Sequence, residues 1–118
     1  MSTPRRVKPW KIMHAPTGQN RIRARVSRNL EPVFDQFLAI QLRRLTELEQ
    51  ALAAEDLPTL QRLGHAIKGG AATYELPDAA HLGALLEQAA AANDVAAAGR
   101  CIDLIREYFA ALVVTFFP

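Results

Sequence analysis

An all-α fold, an antiparallel up-down bundle of four helices behind an extended basic arm, is what this sequence predicts, on three observations. Alanine supplies 21 of the 118 residues, and 19 of those lie from Ala39 onward. Only eight residues are aromatic, so helix formers are abundant and strand formers scarce. Beyond Asn29 the apolar residues recur three and four positions apart, in four runs divided by proline or asparagine-aspartate punctuation. Half the chain is apolar and 22% is charged, which fits one domain with a single core.

Charge divides the chain before any element is drawn. Residues 1 to 28 carry eight basic side chains and no acidic one; the remainder carries six basic and twelve acidic, a net of −6. Residues 1 to 20, with three of the seven prolines and little apolar material, read as a basic flexible arm. It is taken as a solubilising tail, or one folding back on its acidic bundle, in preference to a nucleic-acid ligand. Residues 21 to 118 form the bundle. Within them, Arg21, Arg23 and Arg25 alternate with Ile22, Ala24 and Val26, a strand period. With no pairing strand expected elsewhere, this stretch is read as an extended strap lying apolar side inward.

The first helix begins near Leu30, with Asn29 as N-cap and Pro32 in the first turn. Val33, Phe37, Ile40, Leu45, Leu48 and Leu52 are its expected apolar face. Asp56-Leu57-Pro58 ends it and opens the second helix with Asp56 as cap. Leu76-Pro77-Asp78 starts the third, which carries Leu82, Leu85, Leu86 and Ala89. Asn93-Asp94 caps the fourth, whose set Val95, Ala98, Ile102, Ile105, Phe109, Leu112 and Phe116 advances in alternate steps of three and four. The connections are short, so sequential neighbours run antiparallel.

The second helix carries the chemistry. Its apolar seam is Leu57, Leu60, Leu63, Ile67, Ala71 and Tyr74. At about 100° per residue, His65 lies roughly 160° from both Leu63 and Ile67 and points to solvent. Gln61, Lys68, Gly69 and Ala72 fall within about 60° of it. Two glycines inside a helix, Gly69 and Gly70, cost roughly 2 kcal/mol relative to two alanines. Gly70 lies toward the seam, where close packing explains it. Gly69 projects nearly with His65, and a reason to accept its cost is room for something large to reach the imidazole.

His65-Ala-Ile-Lys68-Gly69 resembles the H-x-[LI]-K-G signature of histidine-containing phosphotransfer (HPt) domains. Tyr74, Pro77 and the leucine-rich helix after them are similar to the family's continuation, and the similarity covers about residues 22 to 117. The resemblance implies a phosphorelay intermediate in two-component signal transduction, which takes a phosphoryl group from an aspartyl-phosphate receiver domain and passes it to another. It implies that His65 is the phosphoacceptor, that Lys68 stabilises the phosphoryl oxygens, and that Gly69 admits the receiver. Gln61, one turn before, is a candidate to orient the ring. One departure stands out: where the family commonly has glycine ten residues after the histidine, this chain has Glu75. If the backbone there needs a positive φ, glutamate is strained by about 1 kcal/mol.

The remaining residues set limits. Neutral imidazole is a nucleophile near pH 7, and no glycine-rich phosphate loop or acid-base pair is visible, so the chain is read as a carrier and not an enzyme. The partner expected is the receiver domain of a response regulator or hybrid kinase, with the chain itself a monomer. His81 is read as structural or solvated, His14 belongs to the arm, and Cys101 is a small packed side chain. No cofactor and no metal site is expected from them. No stretch approaches the roughly 18 apolar residues of a membrane span, and the N-terminus lacks a signal-peptide core, so membrane insertion is not expected and the cytoplasm is. The rival reading is an HPt-like docking or regulatory module that carries no phosphate and binds nucleic acid or a partner through its basic arm.

Overall fold

The computed structural model describes residues 21–118. Expectations for the arm, residues 1 to 20 with His14, lie outside them. The chain runs from strand β1 (Ile22–Ser27) through one turn of 3-10 helix (Arg28–Leu30) into helix α1 (Glu31–Ala53). Helices α2 (Leu57–Thr73), α3 (Pro77–Ala91) and α4 (Val95–Ala111) follow, and strand β2 (Leu112–Phe117) ends it. The four helices form the antiparallel bundle the sequence predicts.

Each helix-to-helix reversal is made by the same three-residue device. Glu55, Glu75 and Asn93 take positive φ values of 51°, 64° and 58°. The next amide in each case donates back across the helix end: Asp56 N to Ala51 O at 2.8 Å, Leu76 N to Ala71 O at 2.8 Å, and Asp94 N to Ala89 O at 2.9 Å. This closes the orphan carbonyls of the outgoing helix. Asp56 and Asp94 then cap the incoming one, accepting from Thr59 N at 3.2 Å and Ala97 N at 3.0 Å. Both expected aspartate caps are therefore in place. Asn29 is not a cap: Leu30 holds that position, and no side chain caps α1.

The fourth helix is shorter than expected. It stops at Ala111, and Leu112 to Phe117 is a strand lying parallel to β1. A step of four residues, as from Leu112 to Phe116, is two strand periods as well as about one helical turn, so periodicity alone does not separate the two. Val113, Val114 and Thr115, β-branched in sequence, decide for the strand. The stretch read as a strap from Arg21 to Val26 is thus, over Ile22–Ser27, a paired strand. Its register sets Ile22, Ala24 and Val26 opposite Leu112, Val114 and Phe116, so the apolar positions of both strands share the inner face. Val26 and Leu112 are fully buried there. On the outer face the Arg25 guanidinium stands 4.8 Å over the Phe117 ring.

The core is aliphatic along the bundle and aromatic at one end, where Phe37 stacks on Tyr74 at 4.1 Å and Phe34 meets Phe116 edge-on at 5.5 Å. Phe34 takes the buried place expected of Val33, which is 41% exposed. In α3 the stripe turned fully inward is Ala79, Gly83, Leu86 and Ala90, with Ala89 also buried; Leu82 and Leu85 are half-buried beside it. Small residues there let two helix backbones touch. A Cβ at Gly64 would lie 2.8 Å from Glu87 N, and one at Gly83 would lie 2.6 Å from Lys68 N, so only glycine fits at either position. The same probe at Gly70 meets Arg44, Phe37 and Gln41 at 3.6 to 3.7 Å, ordinary contact. The close packing expected of Gly70 belongs to Gly64 and Gly83.

Candidate functional site

The glycine contact between α2 and α3 positions what lies beside it. His65 follows Gly64, and Lys68 supplies the amide that a side chain at Gly83 would strike. Glu87, one turn beyond Gly83 on α3, is thereby brought alongside both. His65 Nδ1 is 2.9 Å from Glu87 Oε2, and Lys68 Nζ is 3.0 Å from Glu87 Oε1. One carboxylate therefore bridges the two side chains that sequence spacing sets on the outer face of α2.

The electrostatics follow from that bridge. The bond to Lys68 holds the Glu87 carboxyl below the usual carboxylate range; desolvation opposes it, and the bond to His65 adds to the lowering. Glu87 is thus an ionised acceptor at neutral pH. Its partner atom on the ring must then be a donor, so a neutral His65 carries its proton on Nδ1 and its lone pair on Nε2. The His65 side chain is 69% exposed while Glu87 is only 24% exposed. The free nitrogen belongs to the accessible ring, and the anchoring group sits lower.

Among the described residues nothing lies within 4 Å of the position a Cβ on Gly69 would take. No packing demand accounts for glycine there, in contrast to Gly64. Gln61 is exposed one turn before His65 and makes no hydrogen bond to the ring; that bond comes from Glu87, across the helix interface. Sequence reasoning missed Glu87, which lies 22 residues from His65 and on another helix. The available signal was the pairing of Gly64 with Gly83, the only two bundle glycines placed to bring α2 and α3 into backbone contact.

Glu75, the departure noted in the sequence, adopts φ 64° and is therefore the strained case. Its carboxylate has a partner: Oε1 accepts from Ser27 N at 2.8 Å and from Ser27 Oγ at 2.9 Å, and Oε2 lies 2.8 Å from the same hydroxyl. The side chain ties the end of β1 to the α2–α3 turn. Elsewhere, His81 is exposed on α3, and Cys101 is buried with its thiol pushed up by burial. Among the described residues no three His, Cys, Asp or Glu side chains gather as metal ligands, and no helix is long and apolar enough to cross a membrane.

A family model described as the Hpt domain matches residues 32–114, the four-helix bundle with the His65 face included. No curated protein and no solved structure matches the chain.

Proposed function

The chain belongs to the Hpt domain family, phosphotransfer carriers of two-component phosphorelays, and from that premise we propose that His65 is its phosphoacceptor. The observation that carries the reading is an exposed imidazole whose Nδ1 is held by Glu87, leaving Nε2 as the nucleophilic atom. In the forward step the Nε2 lone pair attacks the phosphorus of a receiver's aspartyl phosphate. The N–P bond forms as the acyl O–P bond breaks, and its electron pair returns to the receiver's carboxylate. The Nδ1 proton stays on the ring, shared with Glu87. The second receiver reverses the step.

Lys68 is paired with the carboxylate that holds the ring, and it supplies charge to the phosphoryl oxygens once they displace part of its contact with Glu87. Gly69 leaves the approach to Nε2 unobstructed, so a receiver's active-site rim can close over it. Carriage needs no acid-base pair of its own, because the proton inventory of the ring does not change. Receiver domains of response regulators or hybrid kinases are the partners this chemistry requires.

Incubation with phosphorylated receiver domains tests the reading. An acid-labile, alkali-stable label should appear on the chain and vanish in His65→Gln. Labelling that survives His65→Gln, or no label from any receiver of the source organism, would refute it in favour of a docking module without phosphate.

A further inference from the structure

Glu87 does more than aim the ring. A carboxylate is a charged acceptor, where an amide of the same length would make the same hydrogen bond without charge, and the difference acts on the phosphorylated state. When a phosphoryl group leaves Nε2, the electron pair of the N–P bond returns to that nitrogen. If Nδ1 holds a proton, the departing group is neutral imidazole; if Nδ1 is bare, it is imidazolate, a far poorer leaving group.

We propose that Glu87 sets the lability of phosphorylated His65 by keeping the Nδ1 proton on the ring, so that the phosphoryl group departs from neutral imidazole. The inference rests on the phosphotransfer reading of His65 and concerns how that site is tuned. The supporting geometry is the 2.9 Å contact from Nδ1 to Glu87 Oε2, on a glutamate only 24% exposed. The ionised carboxylate at that distance accepts the hydrogen bond that a proton on Nδ1 donates. Among the described residues the charged group that meets the ring is Glu87 from α3, and Lys68 from the ring's own helix meets the other oxygen of that carboxylate. In the free state Lys68 neutralises part of the Glu87 charge through Oε1. A phosphoryl group on Nε2 offers Lys68 a second anion, and whatever share of Lys68 it takes leaves Glu87 more strongly committed to Nδ1. Loading the site thus increases the hold on the proton that unloading requires. The arrangement favours a donor that releases its phosphate readily over one that stores it.

The test uses the full chain loaded with phosphoramidate, a small-molecule donor that needs no receiver. Loss of phosphate from His65 is followed by phosphorus NMR between pH 5 and 10, in the wild type and in Glu87→Gln. The exposed His81, which has no hydrogen-bonded carboxylate, serves as a reference within the same molecule. The amide keeps the length and the hydrogen bond of the side chain and removes its charge. In Glu87→Gln the fall in lability with rising pH should therefore begin at lower pH, and near pH 8 the phosphate on His65 should persist several-fold longer. The His81 label should not respond. Equal lifetimes and an unmoved pH profile in the two proteins would overturn the proposal, as would failure of His65 to label at all. A chain that labels chemically but exchanges with no receiver would end the relay reading while leaving the lifetimes to decide on Glu87.

Discussion

The same substitution, glycine to alanine, is expected to act with opposite sign at two positions of the bundle. At Gly69 an added methyl enters open space. The change removes a glycine from an exposed helix interior and should stabilise the domain by about 1 kcal/mol, raising Tm by roughly 4 °C for a domain of this size. At Gly83 the methyl would sit 2.6 Å from Lys68 N, 2.9 Å from Gly64 O and 3.1 Å from Ile67 Cγ2. Two of these are backbone atoms within a helix and do not move alone. Restoring the closest contact to 3.4 Å requires α2 and α3 to separate by about 0.8 Å. Overpacking of this kind costs about 1–3 kcal/mol, and a clash with backbone belongs at the upper end. Set against the gain of about 1 kcal/mol in helix propensity, the net loss is about 2 kcal/mol.

Urea denaturation and thermal melts of Gly69→Ala, Gly83→Ala and wild type measure this directly. The separation also reaches the site, because a 0.8 Å shift takes the His65–Glu87 contact from 2.9 Å to about 3.7 Å, outside hydrogen-bond range. Gly83→Ala should therefore approach Glu87→Gln in the lifetime of phosphate on His65. Gly69→Ala should keep that lifetime and slow exchange with receivers, since its methyl stands on the approach. A Gly83→Ala protein as stable as Gly69→Ala would show that the two helices do not hold the backbone contact on which the site's geometry depends.

Three further outcomes follow from individual side chains. Two hydrogen bonds from Thr59 hold the Asp56 carboxyl below its usual range, so its contribution to stability is fully present above the ordinary carboxylate pKa and is lost as pH falls through the lowered one; Asp56→Asn should flatten the acid limb of a Tm-against-pH profile. Burial, aided by the charge of Asp78, pushes the Tyr108 phenol up to about 12, so absorbance should show it ionising well after an ordinary tyrosine, and stability should fall between about pH 10 and 12 because only the unfolded chain loses that proton. Glu75→Gly relieves about 1 kcal/mol of backbone strain and should stabilise more in a Ser27→Ala background, where only the bond from the residue 27 amide is left to lose, than in the wild type, where the bonds from the Ser27 hydroxyl go as well; equal effects in both backgrounds would show that the hydroxyl's bonds contribute nothing.

How far the fold was legible depends on whether the signal was local. Helix caps were: Asp56 and Asp94 act through amides three residues on, and both were readable. The face of α2 was readable for the same reason, since His65, Lys68 and Gly69 are related by helical geometry alone. The pairing of β1 with β2 was not, because its partners lie 90 residues apart and the four-residue spacing of Leu112 and Phe116 serves either period. Asn29 had the chemistry of a cap, yet a turn of 3-10 helix displaced the start of α1 beyond it. Phe34 and Val33 differ by one position, and which one faces inward is set by the aromatic cluster with Phe116 and Tyr74. Glu87 was beyond sequence reasoning because nothing in one helix states how deeply another will press against it.

That depth is what links the bundle to its chemistry. Gly64 and Gly69 stand in the same helix, five residues apart, and each lowers its helix propensity by about the same amount. Gly64 gives up a side chain so that α3 can approach, and the approach delivers Glu87 to Nδ1 and Lys68. Among the described residues nothing packs on Gly69, and the proposed phosphotransfer gives that bare position a use, as room for a receiver. One glycine therefore fixes which ring nitrogen is held, and in the proposed phosphotransfer the other keeps the opposite nitrogen within reach. An imidazole gripped on one side and open on the other is what a transient carrier of phosphate requires, because the group must be accepted and surrendered through the same exposed atom.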